Sequence, residues 1–172
     1  MAAEWYKKFP KNRNFLNPIG YLLKLDLFEG TDFFCQMANV PDINMPFTEV
    51  PTRFRPVPVI PGGGVSFGDF SVKFIVDEDL KNYNSIHDWI RRNGRADDDK
   101  NTPQEPEYSN AQLHIVTSQY NPAFVIDYRD IFPVALTGMQ FDATMTDAEY
   151  ITADVTFKHQ QFFIRDKSFN NL

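Results

Sequence analysis

Apolar and polar residues alternate along most of this chain with the two-residue period of strands. Ile19, Tyr21, Leu23, Leu25 and Leu27 alternate with Gly20, Leu22, Lys24 and Asp26, which predicts a strand with one buried face. Glu29-Gly30-Thr31-Asp32 has turn composition, and Phe33, Phe34, Cys35 and Met37 begin a second strand. Residues 19–37 therefore predict a hairpin. Residues 38–64 then hold six of the twelve prolines: Pro41, Pro46, Pro51, Pro56, Pro58 and Pro61. Proline donates nothing to a ladder, so no central strand lies here. Phe54, Val57, Val59 and Ile60 are nonetheless apolar, with Arg53 and Arg55 flanking Phe54. The segment predicts a long extended excursion, partly edge strand, ending in a hairpin tip at Pro61-Gly62-Gly63-Gly64. The cleanest strand follows, with Phe70, Val72, Phe74 and Val76 on one face.

One helix is predicted, over about 78–93. Asp77 is its candidate N-cap, and Glu78 and Asp79 suit the positive end of the dipole. Leu80, Tyr83, Ile86, His87 and Ile90 recur at helical spacing. Arg91 and Arg92 fall in the last turn, and Gly94 is the stop. Residues 95–109 are polar and acidic, a surface loop. Four strands follow: Leu113, Ile115 and Thr117; residues 123–128; Met139, Phe141, Ala143 and Met145; and Ile151, Ala153, Val155 and Phe157, prolonged by Phe163 and Ile164. Sequential antiparallel strands predict a mainly β fold, a sandwich or barrel, with the helix over one end or edge. The organisation is an arm at 1–14 carrying Trp5, Tyr6 and Phe9, one β domain at 15–165, and a tail at 166–172.

Composition sharpens this. The chain has 172 residues, enough to bury a core without staples. Seventeen Phe, seven Tyr and two Trp reinforce the β prediction. A formal charge of −6 argues against a protein that grips nucleic acid by its phosphates. A single cysteine, Cys35, excludes an internal disulfide and a multi-cysteine metal site. No apolar stretch suits an export signal or a membrane span, so a soluble cytoplasmic protein, or one soluble until it assembles, is expected.

Candidate chemistry is sparse. The run PGGGVSFGD lacks the Lys-Ser/Thr ending and the following helix that phosphate binding requires. His87, His114 and His159 lie in different elements with no partner at ligand spacing; the last two are expected on strand faces opposite the core. Cys35 sits among Phe33, Phe34 and Met37 and packs as a small hydrophobe. Asp97-Asp98-Asp99 lacks the spaced oxygens of a calcium loop. No catalytic residue, metal site or cofactor is indicated. What remains is apolar surface in excess of one small core, which points to a structural oligomer.

The chain resembles the tail-tube proteins of contractile-tailed bacteriophages over about residues 15–165. The resemblance rests on Phe33-Phe34-Cys35-Gln36 with Met37-Ala38-Asn39-Val40-Pro41, and on the strand 70–76 running into Asp77-Glu78-Asp79. It rests further on Ile86-His87-Asp88-Trp89-Ile90. Its most specific part is the C-terminal series 124–128, Ile131-Phe132-Pro133-Val134-Ala135-Leu136, 139–144 and 150–157. The resemblance implies a β-sandwich or barrel with a flanking helix, in hexameric rings that stack into a hollow tube within a contractile sheath. Type VI secretion and related injection machines share that fold. It implies as partners further copies of the chain, a sheath protein, and baseplate and terminator proteins. Phage DNA would pass through the lumen without sequence-specific binding. The place is the virion tail, after synthesis in the host cytoplasm, with no membrane anchor. A long early loop stacks rings in that family. It matches 41–64 here, so Phe47, Phe54, Val57 and Val59 are expected at a subunit interface, with Trp5 and Phe9 of the arm as further contacts. A tube initiator or terminator ring, a bacterial injection-system tube, and a carbohydrate- or peptide-binding β-sandwich are the alternatives, with a hydrolase a distant fourth.

Overall fold

A computed structural model describes residues 16, 18–27, 35–60, 62–95, 105–117, 121–141, 144 and 150–166. Trp5, Phe9, the 29–32 turn, Asp97-Asp98-Asp99 and the tail beyond 166 lie outside the described residues. Eleven strands and one helix are described: β1 (Tyr21–Leu25), β2 (Cys35–Ala38), β3 (Ile43–Asn44), β4 (Thr48–Val50), β5 (Val57–Val59), β6 (Ser66–Phe67), β7 (Phe70–Ile75), α1 (Lys81–Gly94), β8 (Ser109–Val116), β9 (Pro122–Leu136), β10 (Thr152–Lys158) and β11 (Gln161–Asp166).

All pairings are antiparallel. One sheet runs β1-β8-β9-β11 and the other β9-β10-β7-β2, so β9 belongs to both. The mainly β sandwich with one flanking helix is the architecture expected from the alternation. Asp130, at φ 52, marks the passage between sheets: the register slips there, with Tyr128 opposite Ala111 and Ile131 opposite Ser109. Such a bulge bends a strand and lets it leave one sheet for the next. Pro133 is tolerated beyond the bend because β9 is there the edge of the second sheet, beside a further register slip.

The expected hairpin over 19–37 does not form. β1 pairs with β8 (Leu23↔Leu113), while β2 pairs with β7 (Cys35↔Phe74). Both strands are short, and each gains more by completing a different sheet than by pairing with its neighbour. Of the strand predicted from Met139, the described part, 137–141, forms no strand, and Ala143 and Met145 lie outside the described residues. The strand predicted at 123–128 instead continues to Leu136 and takes the partner role opposite β10.

The shared core is built by the inward faces of both sheets. Leu23, Leu25, Phe70, Val72, Phe74, Leu113, Ile126, Tyr128, Ile131, Val155 and Phe157 are buried in it, with Ile86 and Trp89 of α1. Tyr128 stacks on Phe70 at 4.4 Å between ring centres. The helix starts three residues later than predicted, and Asp77 does not cap it. Leu80 holds the N-cap position in a left-handed backbone, with no side-chain cap. The reason is Asn82. Its Oδ1 accepts from the Asp77 N–H (3.1 Å) and the Tyr83 N–H (2.7 Å), and its Nδ2 donates to Ile75 O (2.8 Å). One buried amide thus ties the end of β7 to the start of α1. At the other end Arg95, not Gly94, takes the left-handed closing position. Trp89 Nε1 donates to Glu107 O (3.0 Å), and Arg92 grips the Glu107 carboxylate at 2.8 Å. The inward face of α1 is therefore Asn82, Ile86 and Trp89, and Leu80 and His87 lie off it.

Candidate assembly surface

Residues 43–67 form an arm. After β2 the ladder with β7 continues past the sheet: Asn39 Nδ2 donates to Asp69 O (3.0 Å) and Asn39 Oδ1 accepts from the Ser71 N–H (2.6 Å). The Gly68 N–H then donates to Asp42 O (2.9 Å), and Ile43 pairs with Phe67 in β3–β6. Farther out, Thr48 pairs with Val59 and Val50 with Val57 in β4–β5. The tip is therefore 51–56, closed by the hydrogen bond from Thr52 Oγ1 to Arg55 O. The glycine run expected at the tip lies instead on the return leg. Gly62, Gly63 and Gly64 all have positive φ (87, 153 and 104), which only glycine adopts without strain, so the run re-aims the chain from β5 into β6.

The arm's root is fixed and its length is bare. Phe67 packs on the rings of His159 (5.7 Å) and Phe162 (5.5 Å). Every residue of β3, β4 and β5 is exposed. Of the predicted contact residues, Val57 and Val59 share one face of β4–β5 with Val50, and Phe54 stands at the tip, 92% exposed. Phe47 is separate. It lines a shallow hollow with Met45, Pro46 and Val65. Sequence reasoning missed Ile43, Met45, Val50 and Val65, all exposed apolar residues of the same arm. The proline frequency drew attention to the segment but did not show that its apolar residues face solvent.

The remaining candidates separate into packing and surface. Burial pushes the Cys35 thiol up; Tyr21 and the Met37 carbonyl are its hydrogen-bond partners. Tyr21 is itself pushed up to about 12, by burial first and then by Cys35. A protonated, half-buried thiol is a packing group and a poor nucleophile. His114 lies on the outer face of β8, its pKa lowered by burial and by the Lys24 cation. His159 departs from its expected outward position. Its ring sits against Tyr128 (5.4 Å), Phe67 and Phe162, and both ring nitrogens are sealed from solvent without a hydrogen-bond partner among the described residues. Burial lowers its pKa and favours the neutral ring; Asp69 opposes that shift and Lys158 adds to it. Among the described residues no three His, Cys, Asp or Glu gather as a metal site, and no helix is long and apolar enough to cross a membrane.

No protein-family model matches the chain, and no curated protein does. Solved structures do match. The tube-terminating cap of the anti-feeding prophage aligns at TM-score 0.65 and 15% identity, over 96% of this chain and 99% of that one. This chain has the tube fold of contractile injection systems. The sheath–tube complex of an extracellular contractile injection system in its extended state aligns at TM-score 0.61 and 13% identity, over 92% and 93%. Hcp1 from Flavobacterium johnsoniae aligns at 0.51 and 10%, over 84% and 94%. The likeness covers nearly the whole of each partner. The tube fold therefore accounts for the sandwich and the helix together, and not for one hairpin or sheet alone.

Proposed function

We propose that this chain is a structural, non-catalytic subunit of hexameric rings that stack into the hollow inner tube of a contractile tail, within a sheath. Cargo, phage DNA in a virion tail, passes through the lumen. The observation that carries the proposal is the arm: about 25 residues rooted in the core and bare of any cover along β3, β4 and β5. An arm of this kind is stable only if its apolar residues meet another surface, and a second copy supplies one. In this reading Phe47, Phe54, Val57 and Val59 contact the neighbouring ring, and Trp5 and Phe9 add contacts from the N-terminal arm. The sheet edges support lateral assembly. Among the described residues β1 pairs only with β8, β2 only with β7 and β11 only with β9, so each is an edge that can offer a row of backbone groups to a neighbour's strand.

A cap or terminator ring is the second reading, favoured by the near-complete alignment with a tube-terminating cap. Negative-stain electron microscopy of the purified chain, beside size-exclusion with light scattering, separates the two. Stacked rings or hollow tubes are expected. Discrete single rings would turn the assignment to the cap. A monomer at every concentration, also in the presence of sheath and baseplate proteins, would refute both.

A further inference from the structure

The arm and the start of α1 lie at opposite ends of one ladder. β2 and β7 pair from Cys35↔Phe74 to Ala38↔Val72, and the pairing runs on into Ile43↔Phe67, so the arm leaves from the Phe70 end of β7. The turn 77–80 follows the Ile75 end, closed by the Leu80 N–H donating to Asp77 O (2.9 Å). There the Val76 N–H donates to Ile151 O (2.8 Å), which brings the exposed Tyr150 to the same end. The eight residue steps from Phe67 to Ile75 set the two ends about 26 Å apart along the ladder.

The two ends carry opposite charge. The tip places Arg53 and Arg55 on either side of Phe54, and no acidic residue occurs between Val50 and Ile60. The turn carries Asp77, Glu78 and Asp79, of which Asp79 pairs with Lys81 at 2.6 Å. That leaves two carboxylates opposite two guanidiniums. Beside them Leu80 has φ 58, a backbone that strains a residue with a side chain, and its side chain is 41% exposed instead of buried. The turn thus presents a small apolar spot with an acidic rim, and the tip an exposed ring with a basic rim.

Resting on the ring-stacking reading, we infer that the Arg53-Phe54-Arg55 tip of one copy seats on the 77–80 turn of a second copy in the next ring. Arg53 and Arg55 meet Asp77 and Glu78, and Phe54 covers Leu80. The occupant is a second copy because the two surfaces differ, complement each other in charge, and the arm that carries the tip is rooted at the end of the ladder opposite the turn. Those are the conditions for a head-to-tail contact that repeats along an axis.

Charge reversal tests this. Arg53→Glu with Arg55→Glu reverses the tip, and Asp77→Lys with Glu78→Lys reverses the turn. Asn82 holds Asp77 by its backbone N–H, so the turn variant keeps its anchor. Tube mass by sedimentation and microscopy is expected to fall about tenfold or more in either pair, with the monomer's Tm unchanged. All four changes in one chain are expected to restore tubes, since every interface is then complementary again. Turn reversal that leaves tubes intact while tip reversal abolishes them would overturn this pairing and leave ring stacking standing. Four changes that fail to restore tubes in a chain with unchanged Tm would also overturn it. A wild-type chain that never stacks would remove both.

Discussion

Phe54→Asp isolates assembly from folding. The side chain is 92% exposed and no ring contact or hydrogen bond of the described residues involves it, so removing the ring leaves the core intact. Surface substitutions of this kind change stability by at most about 0.5 kcal/mol. In a stacked interface the same ring leaves water. Burying about 150 Å² of aromatic surface at roughly 25 cal/mol per Å² is worth ~4 kcal/mol. A loss of that size weakens the ring-to-ring equilibrium about 1,000-fold, and a carboxylate buried in its place adds to the loss. The assay is the concentration at which tubes first sediment, read beside the Tm of the unassembled chain. The expected result is a large rise in that concentration with Tm unchanged. Phe54→Leu, which keeps an apolar group, should fall between the two. Tubes of normal length at wild-type concentration from Phe54→Asp would refute the argument. An early-melting monomer would show instead that Phe54 belongs to the fold.

Two further predictions concern what holds the arm and helix in place. Trp89→Ala removes a fully buried indole and its hydrogen bond to Glu107 O, and should cost about 3–5 kcal/mol, a Tm loss of roughly 10 °C or more in a chain of this size. Trp89→Phe should recover most of it in thermal melts, and a Tm within two degrees of wild type, about the smallest shift that ~1 kcal/mol would give, for Trp89→Ala would contradict the packing. His159 sets an acid sensitivity. Burial holds its folded pKa below the ordinary 6.5, so the stability tied to the neutral ring is complete above pH 6.5 and is lost as the pH falls below it. Tm measured from pH 7 to pH 5 should drop less in His159→Phe than in wild type, and equal slopes would remove His159 from the account.

How much of this was legible beforehand differs by element. Period-two alternation identified β1, β7, β8 and β10, because each has one face on the shared core and the other towards solvent. The helix was legible too, though its start was not. The caps suggested by Asp77, Glu78 and Asp79 are local signals, and a single buried amide, Asn82, outweighed them by binding Ile75 and Asp77 at once. The arm was visible as a proline-rich excursion, but its tip was misplaced at the glycines. Composition indicates where a chain can turn and says nothing of which strands will pair on either side.

By itself, then, the sequence determined the inward and outward faces of β1, β7, β8 and β10, the presence of the helix, and the segment too proline-rich for a central strand. These follow from side-chain chemistry acting over a few residues. Only the tertiary structure decided that β1 joins β8 and β2 joins β7, and that β9 serves both sheets through a bend at Asp130. It also decided that His159 turns into an aromatic nest, and that the arm and the acidic turn stand at opposite ends. Those outcomes depend on which distant strands bury the most apolar surface together. That sum runs over the whole chain, and no local pattern contains it.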